Sequence, residues 1–196
     1  MTEPRSRLVV VRHGETGWSR EGRHTGRTDV ALDPAGRLQA VGLGEGLAGE
    51  RFESVWSSPS SRAVETCRLA GFDDRAVLDD DLREWDYGDD EGRTTEEIRE
   101  LRPGWTLWTG GVPNGETATD VGRRADRVIE RARAAKGDTL CFAHGHILRV
   151  LAARWLGLPP TEGRLFVLGA GSTGVLGWER EAPVIQRWNE PARLPR

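Results

Sequence analysis

The sequence predicts an α/β fold, a three-layer αβα sandwich around a mostly parallel sheet with an antiparallel edge strand. Three observations carry this expectation. Short strand-like runs recur at 8–11, 52–56 and 139–143, and the continuous β-branched run at 8–11 reads as a strand buried on both faces. Stretches with helix-start signals and helical spacing lie between them. The apolar runs near the C-terminus are close enough together to pair as an antiparallel edge.

The elements follow in order. Leu8-Val9-Val10-Val11 is the first strand and ends in Arg12-His13-Gly14. Polar sequence then runs to Asp33-Pro34, an N-cap residue followed by Pro at the first helical position, which opens a helix over 35–48. A second strand covers 52–56. Ser58-Pro59 repeats the cap-and-Pro signal and opens a helix reaching Ala70, and 76–78 reads as a short strand. Residues 79–115 are loop-rich, with one helix start at Thr94, where Thr94 and Glu97 form a capping box. Val121, Ala125, Val128, Ile129 and Ala132 recur at helical spacing and predict a helix over 116–135, stopped by Gly137-Asp138. The strand at 139–143 ends at His144, an apolar helix covers 147–156, and three strand-like runs follow at 165–168, 174–178 and 184–188. No repeat or linker divides the chain, so residues 1–196 read as one domain.

Composition narrows the function. Lys and Arg number 28 against 31 Asp and Glu, a net charge of −3 that lacks the cationic field of a nucleic-acid or polybasic membrane binder. The expected partner is a small molecule, and a homo-oligomer is left open. Cys67 and Cys141 fall in a predicted helix and a predicted buried strand, which points to a reducing, cytoplasmic setting without disulfides. The apolar run near the N-terminus is too short for a signal peptide or a membrane span.

In open α/β sheets, ligands bind outside the carboxyl ends of the strands. One such end carries Arg12-His13-Gly14 and another His144-Gly145-His146. A third, Ser57-Ser58-Pro59, leads into a helix with Arg62 in its first turn. Arginines, histidines and a helix N-terminus converging there suit a phosphate. No Walker-type loop is present, and the single lysine, Lys136, is followed by Gly-Asp. Metal-free phosphoryl transfer remains, in which a neutral imidazole attacks phosphorus and a carboxylic acid protonates the leaving alkoxide. The loop after Leu78 offers Asp79, Asp80, Asp81, Glu84, Asp86, Asp89, Asp90 and Glu91 for that role, and chemistry alone does not choose among them. His144 and His146 have the spacing of a zinc pair, but no third ligand is evident, so neither metal nor cofactor is expected. His146 reads as an ordinary helix-start residue, and Trp85, Trp105 and Trp108 as packing. Gly44-x-Gly46-x-x-Gly49 lies at a helix end, and Gly169-x-Gly171-x-x-Gly174 precedes a strand, so neither has the context of a dinucleotide site. The second loop brings Gly171-Ser172 near the phosphate pocket.

The segment Val11-Arg12-His13-Gly14-Glu15-Thr16-Gly17-Trp18 resembles the signature of the histidine phosphatase superfamily, also called phosphoglycerate mutase-like. Thr25-Gly26-Arg27-Thr28-Asp29, Ser57-Ser58-Pro59-Ser60-Ser61-Arg62-Ala63, Leu82-Arg83-Glu84 and Phe142-Ala143-His144-Gly145 occur in that family's order. The resemblance implies that His13 is the nucleophile, that Arg12, Arg62 and His144 complete the phosphate pocket, and that Glu84 is the proton donor. Residues 79–89 and 142–149 resemble the branch that holds sedoheptulose-1,7-bisphosphatase and small bacterial acid phosphatases. In that branch the positions of Thr25, Tyr87 and Arg149 line the substrate side; Gly26, next to Thr25, and Ser172, on the second glycine loop, are further substrate-binding candidates of this sequence. His24 departs from it, standing where that branch often has Tyr, and Asp90 stands at a usually aromatic position.

The expected activity is metal-independent hydrolysis of phosphate monoesters of small metabolites, sugar phosphates among them, through a phosphohistidine. The alternatives are phosphoglycerate mutase-type transfer and non-catalytic binding of phosphorylated ligands. The short segment between Glu84 and His144, and Ser19 where mutases usually carry Asn, favour the phosphatase.

Overall fold

The structure is a computed structural model that describes residues 5–193. Leu8–Arg12 forms β1, followed by the single-turn helix α1 (Gly17–Arg20) and by α2 (Pro34–Leu47). The side chain of Asp33 accepts from the Gly36 N–H and Pro34 occupies the first turn, as the sequence indicates. Next come β2 (Ser54–Ser57), α3 (Ser61–Leu69) and β3 (Ala76–Leu78). Two 3-10 turns at Asp80–Leu82 and Gly88–Asp90 lead to α4 (Thr95–Leu101), with both halves of the Thr94/Glu97 capping box formed. The short α5 (Leu107–Gly110) precedes α6 (Ala118–Ala134), β4 (Thr139–Ala143) and α7 (Gly145–Trp155). The chain ends in the hairpin of β5 (Ser172–Glu179) and β6 (Ala182–Pro191).

The six strands form one sheet in the order β3-β2-β4-β1-β5-β6. The first four are parallel; β5 runs antiparallel to β1, and β6 antiparallel to β5. The antiparallel edge thus has two strands. Alternation along the strands splits the core. Leu8, Val10, Cys141 and Ala143 pack toward α6 and α7, whereas Val9, Val11, Leu140 and Phe142 pack toward α2 and α3.

Two expectations need correction. Residues 165–168 are not a strand. The edge of β1 is already paired with β5, and the run instead leaves a 3-10 turn with Leu165 and Val167 exposed and the Leu168 carbonyl accepting from Arg12. Ser58-Pro59 does not cap α3. The helix begins after Ser60, which makes no side-chain cap bond, and the Ser58 hydroxyl instead meets His144.

Candidate active site

Three neighbouring parallel strands deliver the site. The Ser58 N–H donates to the Phe142 carbonyl and the His13 N–H to the Ala143 carbonyl, so the chain leaves β2, β4 and β1 side by side at Ser58, His144 and His13. The His13 and His144 rings face each other edge-on, 5.2 Å between centroids. Gly14 follows because a Cβ there would lie 2.2 Å from the Gly36 carbonyl oxygen, where α2 begins.

His13 is nearly buried, and its Nδ1 lies 2.7 Å from the Gly14 carbonyl oxygen. A carbonyl only accepts, so Nδ1 carries the proton and Nε2 presents its lone pair. Burial, then the charges of Arg12 and Arg62, hold the His13 pKa well below its ordinary value. His144 is held well below as well, by burial and then by Arg62. Its Nδ1 accepts from Arg62 Nε at 3.1 Å, which leaves Nε2–H to donate to Ser58 Oγ at 2.7 Å.

Arg62 is fully buried and acts as a brace: besides His144, it donates to the carbonyls of Thr28, Thr25 and Gly26. Arg12 donates NH1 to the Leu168 carbonyl, while its Nε is buried without a partner. Gly145 keeps the space above that guanidinium open, since a Cβ there would come within 3.3 Å of Arg12 Cζ. Glu84 closes the far side at the N-terminus of α7. Its Oε1 accepts from the Trp85 and Ile147 N–H groups and its Oε2 from the His146 N–H, all at 2.9 Å. Oε2 therefore keeps one more lone pair free than Oε1.

A cleft of 190 Å³ opens among Arg12, His13, Glu84 and neighbouring residues. Thr25, Tyr87 and Arg149 are among those that line it. Arg149 lies 4.7 Å from the centroid of the Trp108 ring and donates to the carbonyls of Gly163 and Arg164. Arg62, His144, Gly26 and Ser172 are not among the lining residues; Arg62 and His144 sit buried behind Arg12 and His13. Gly26 gives its carbonyl to Arg62 and its N–H to Glu91, and a Cβ there would meet the Trp85 carbonyl oxygen at 2.6 Å. Ser172 donates to the Gly169 carbonyl, while Gly171 N–H donates to the His13 carbonyl and fixes the loop behind the nucleophile candidate. Asp90 is also outside the cleft, buried and paired with Arg102.

Two lining residues escape the sequence argument: His24, singled out only as a departure, and His146, taken as an ordinary helix-start residue. Their rings are parallel, 6.0 Å apart, so all four histidines of the chain gather at this site. Their clustering requires the 24–28 loop to fold over α7, which no local signal reveals. Among the described residues, no group of three His, Cys, Asp or Glu side chains could hold a metal ion, and no helix is long and apolar enough to cross a membrane.

A sheet with a buried imidazole and arginines at its parallel strand ends defines an enzyme built to handle phosphate. The family model of the histidine phosphatase superfamily (branch 1) matches residues 8–191. The chain is 42% identical over 177 residues to an acid phosphatase of Mycobacterium tuberculosis, covering 88% of this chain and 87% of that protein. It is 39% identical over 184 residues to the sedoheptulose 1,7-bisphosphatase of Saccharomyces cerevisiae, covering 78% and 68% respectively. A solved structure of a Mycobacterium tuberculosis open reading frame superposes with a TM-score of 0.90 at 38% identity, covering 96% of this chain and 99% of that one. The chain belongs to the histidine phosphatase superfamily and is a phosphoric monoester hydrolase.

Proposed function

We propose that this enzyme hydrolyses phosphate monoesters of small metabolites, sugar phosphates among them, through a phosphohistidine at His13 and without a metal. The observation that carries the reading is the His13 tautomer. Nδ1–H donates to the Gly14 carbonyl, so the neutral ring keeps its proton on Nδ1 and presents the Nε2 lone pair. Buried side-chain nitrogens and oxygens without a partner are Arg12 Nε and Thr139 Oγ1 alone among the described residues. The unpaired His13 Nε2 therefore reaches open space, in a cleft that His13 itself lines.

In the first step the His13 Nε2 lone pair forms a bond to phosphorus. The P–O ester bond breaks with its electron pair on the ester oxygen, which takes the proton held on Glu84. Arg12 lines the cleft and meets the phosphoryl oxygens, while Arg62, whose N–H groups are held by His144 and the Thr25, Gly26 and Thr28 carbonyls, adds fixed positive charge behind it. In the second step Glu84, now a carboxylate, takes a proton from water. The water oxygen bonds to phosphorus, the N–P bond breaks, and phosphate leaves. The acid is restored, and the balance is ester plus water giving alcohol plus phosphate.

The buried, unpaired Cys67 and Cys141 support a cytoplasmic setting; burial pushes the Cys67 thiol up to about 12. The net charge of −3 supports a small-molecule partner in place of nucleic acid or a membrane surface. Phosphate release from an aryl phosphate and a panel of sugar phosphates, with EDTA present throughout, tests the reading. Turnover is expected to persist. Loss on chelation, restored by added zinc or magnesium, would overturn the metal-free mechanism, and interconversion of phosphoglycerates without phosphate release would identify a mutase.

A further inference from the structure

His24 and His146 are held in opposite hydrogen-bonding senses. His24 Nδ1 lies 2.8 Å from the Arg93 carbonyl oxygen, which can only accept, so the neutral ring keeps its proton on Nδ1 and leaves Nε2 as an acceptor. His146 Nδ1 lies 2.6 Å from the Tyr87 hydroxyl. Burial pushes the Tyr87 phenol well above its ordinary value, so it keeps its proton. Burial and then Arg149 hold His146 well below its own, so the ring is neutral. Tyr87 therefore donates to Nδ1, and His146 carries its proton on Nε2.

Neither Nε2 has a protein partner among the described residues, and neither counts among the buried unpaired atoms, so both reach open space. Both rings line the cleft that holds His13 and Glu84, and they lie parallel. One Nε2 accepts and the other donates. A hydroxyl group does both, and its O–H can point to His24 while its oxygen accepts from His146.

We propose that His24 and His146 form a donor–acceptor pair that reads a hydroxyl on the leaving-group side of the substrate, and so select polyol phosphates over alkyl phosphates. The inference rests on the phosphatase reading above and adds two specificity-determining residues to it. Tyr87 acts through His146, as the positioning residue that fixes its tautomer. A site built to bond a hydroxyl discriminates against the analogue lacking it, because the site's polar atoms are then left unpaired.

The test compares glycerol 3-phosphate with propyl phosphate, two alkyl esters that differ by hydroxyl groups. The readout is the ratio of their kcat/KM values, with an aryl phosphate as the reference for chemistry. The wild type is expected to favour the glycerol ester at least ~10-fold. In His146→Phe and His24→Phe, which keep the aromatic packing, that ratio is expected to collapse toward one. Tyr87→Phe frees the tautomer and should lower the ratio in the same direction by less. A wild-type ratio near one, or a ratio that survives both histidine substitutions, overturns the proposal while leaving the phosphatase intact. If no ester, the aryl phosphate included, releases phosphate, the parent reading falls and takes this one with it.

Discussion

Glu84→Gln is the substitution whose consequences the structure lets us work through furthest. Glutamine matches the shape of glutamate and cannot deliver a proton, but it is not a neutral replacement here. The amide oxygen can keep the two bonds that Oε1 accepts from Trp85 and Ile147. The amide nitrogen, in the place of Oε2, cannot accept from the His146 N–H and sets donor against donor. One backbone N–H at the start of α7 is then left unpaired, at a cost of about 1–3 kcal/mol. For a chain of this size that lowers Tm by roughly 2–12 °C. The catalytic loss is separate. General acid catalysis contributes ~10²–10⁴-fold where the leaving group is a poor one. Alkyl phosphates should therefore lose about that factor in kcat, while an activated aryl phosphate, whose phenolate leaves with little help, should lose far less. Asp86→Asn and Asp89→Asn should show no such leaving-group dependence. The assay is phosphate release across esters of graded leaving-group pKa, run well below the melting temperature of each variant. Equal losses on alkyl and aryl esters would make Glu84 a cap for α7 and send the search for the acid to its neighbours.

Arg62→Lys keeps a charge but cannot span His144 and the carbonyls of Thr25, Gly26 and Thr28 together, so kcat/KM is expected to fall by ~100-fold or more; retention of most of the wild-type rate would make Arg62 dispensable to the site. The pH profile should carry the mark of burial. With His13 held well below 6.5, kcat/KM should not drop as pH falls through 6.5, and a half-maximal point at the ordinary histidine value would contradict that. Stability has its own sign. His13, His144 and His146 all titrate lower in the folded chain than in the unfolded one, so stability is full above about 6.5 and falls as pH drops toward the folded values. The slope is ~1.4 kcal/mol per pH unit for each histidine still uncharged, and a Tm that is flat from pH 7 to 5 would refute it.

The frame of the fold is legible in the chain because its signals are local. Val9, Val10 and Val11 in one run leave little choice but a strand covered on both faces, and Asp33-Pro34 places a helix start to within a residue. Errors arise where a local signal competes with a tertiary partner. Ser58 looks like a cap, yet its hydroxyl is taken by a histidine 86 residues away, and 165–168 looks like a strand but the edge of β1 is taken by β5. The site divides in the same way. His13 and His144 end buried strands, so their positions follow from the strand pattern. Glu84 could be preferred among its acidic neighbours only through the family resemblance, because what separates it from Asp79, Asp80 and Asp81 is three N–H groups lent by Trp85 and a helix more than 60 residues on. His24 was visible as a departure from that resemblance, but its partnership with His146 exists only after the 24–28 loop has packed against α7.

The most direct test of the account is to trap the intermediate. Wild-type enzyme quenched during turnover of phosphate-labelled substrate is expected to carry label that is lost in acid and kept in alkali, the behaviour of a phosphorylated imidazole, and to carry it on His13. His13→Ala should fold normally, carry no label and release no phosphate. Label retained by His13→Ala, or found on another residue of the wild type, would contradict the assignment of His13 as the nucleophile.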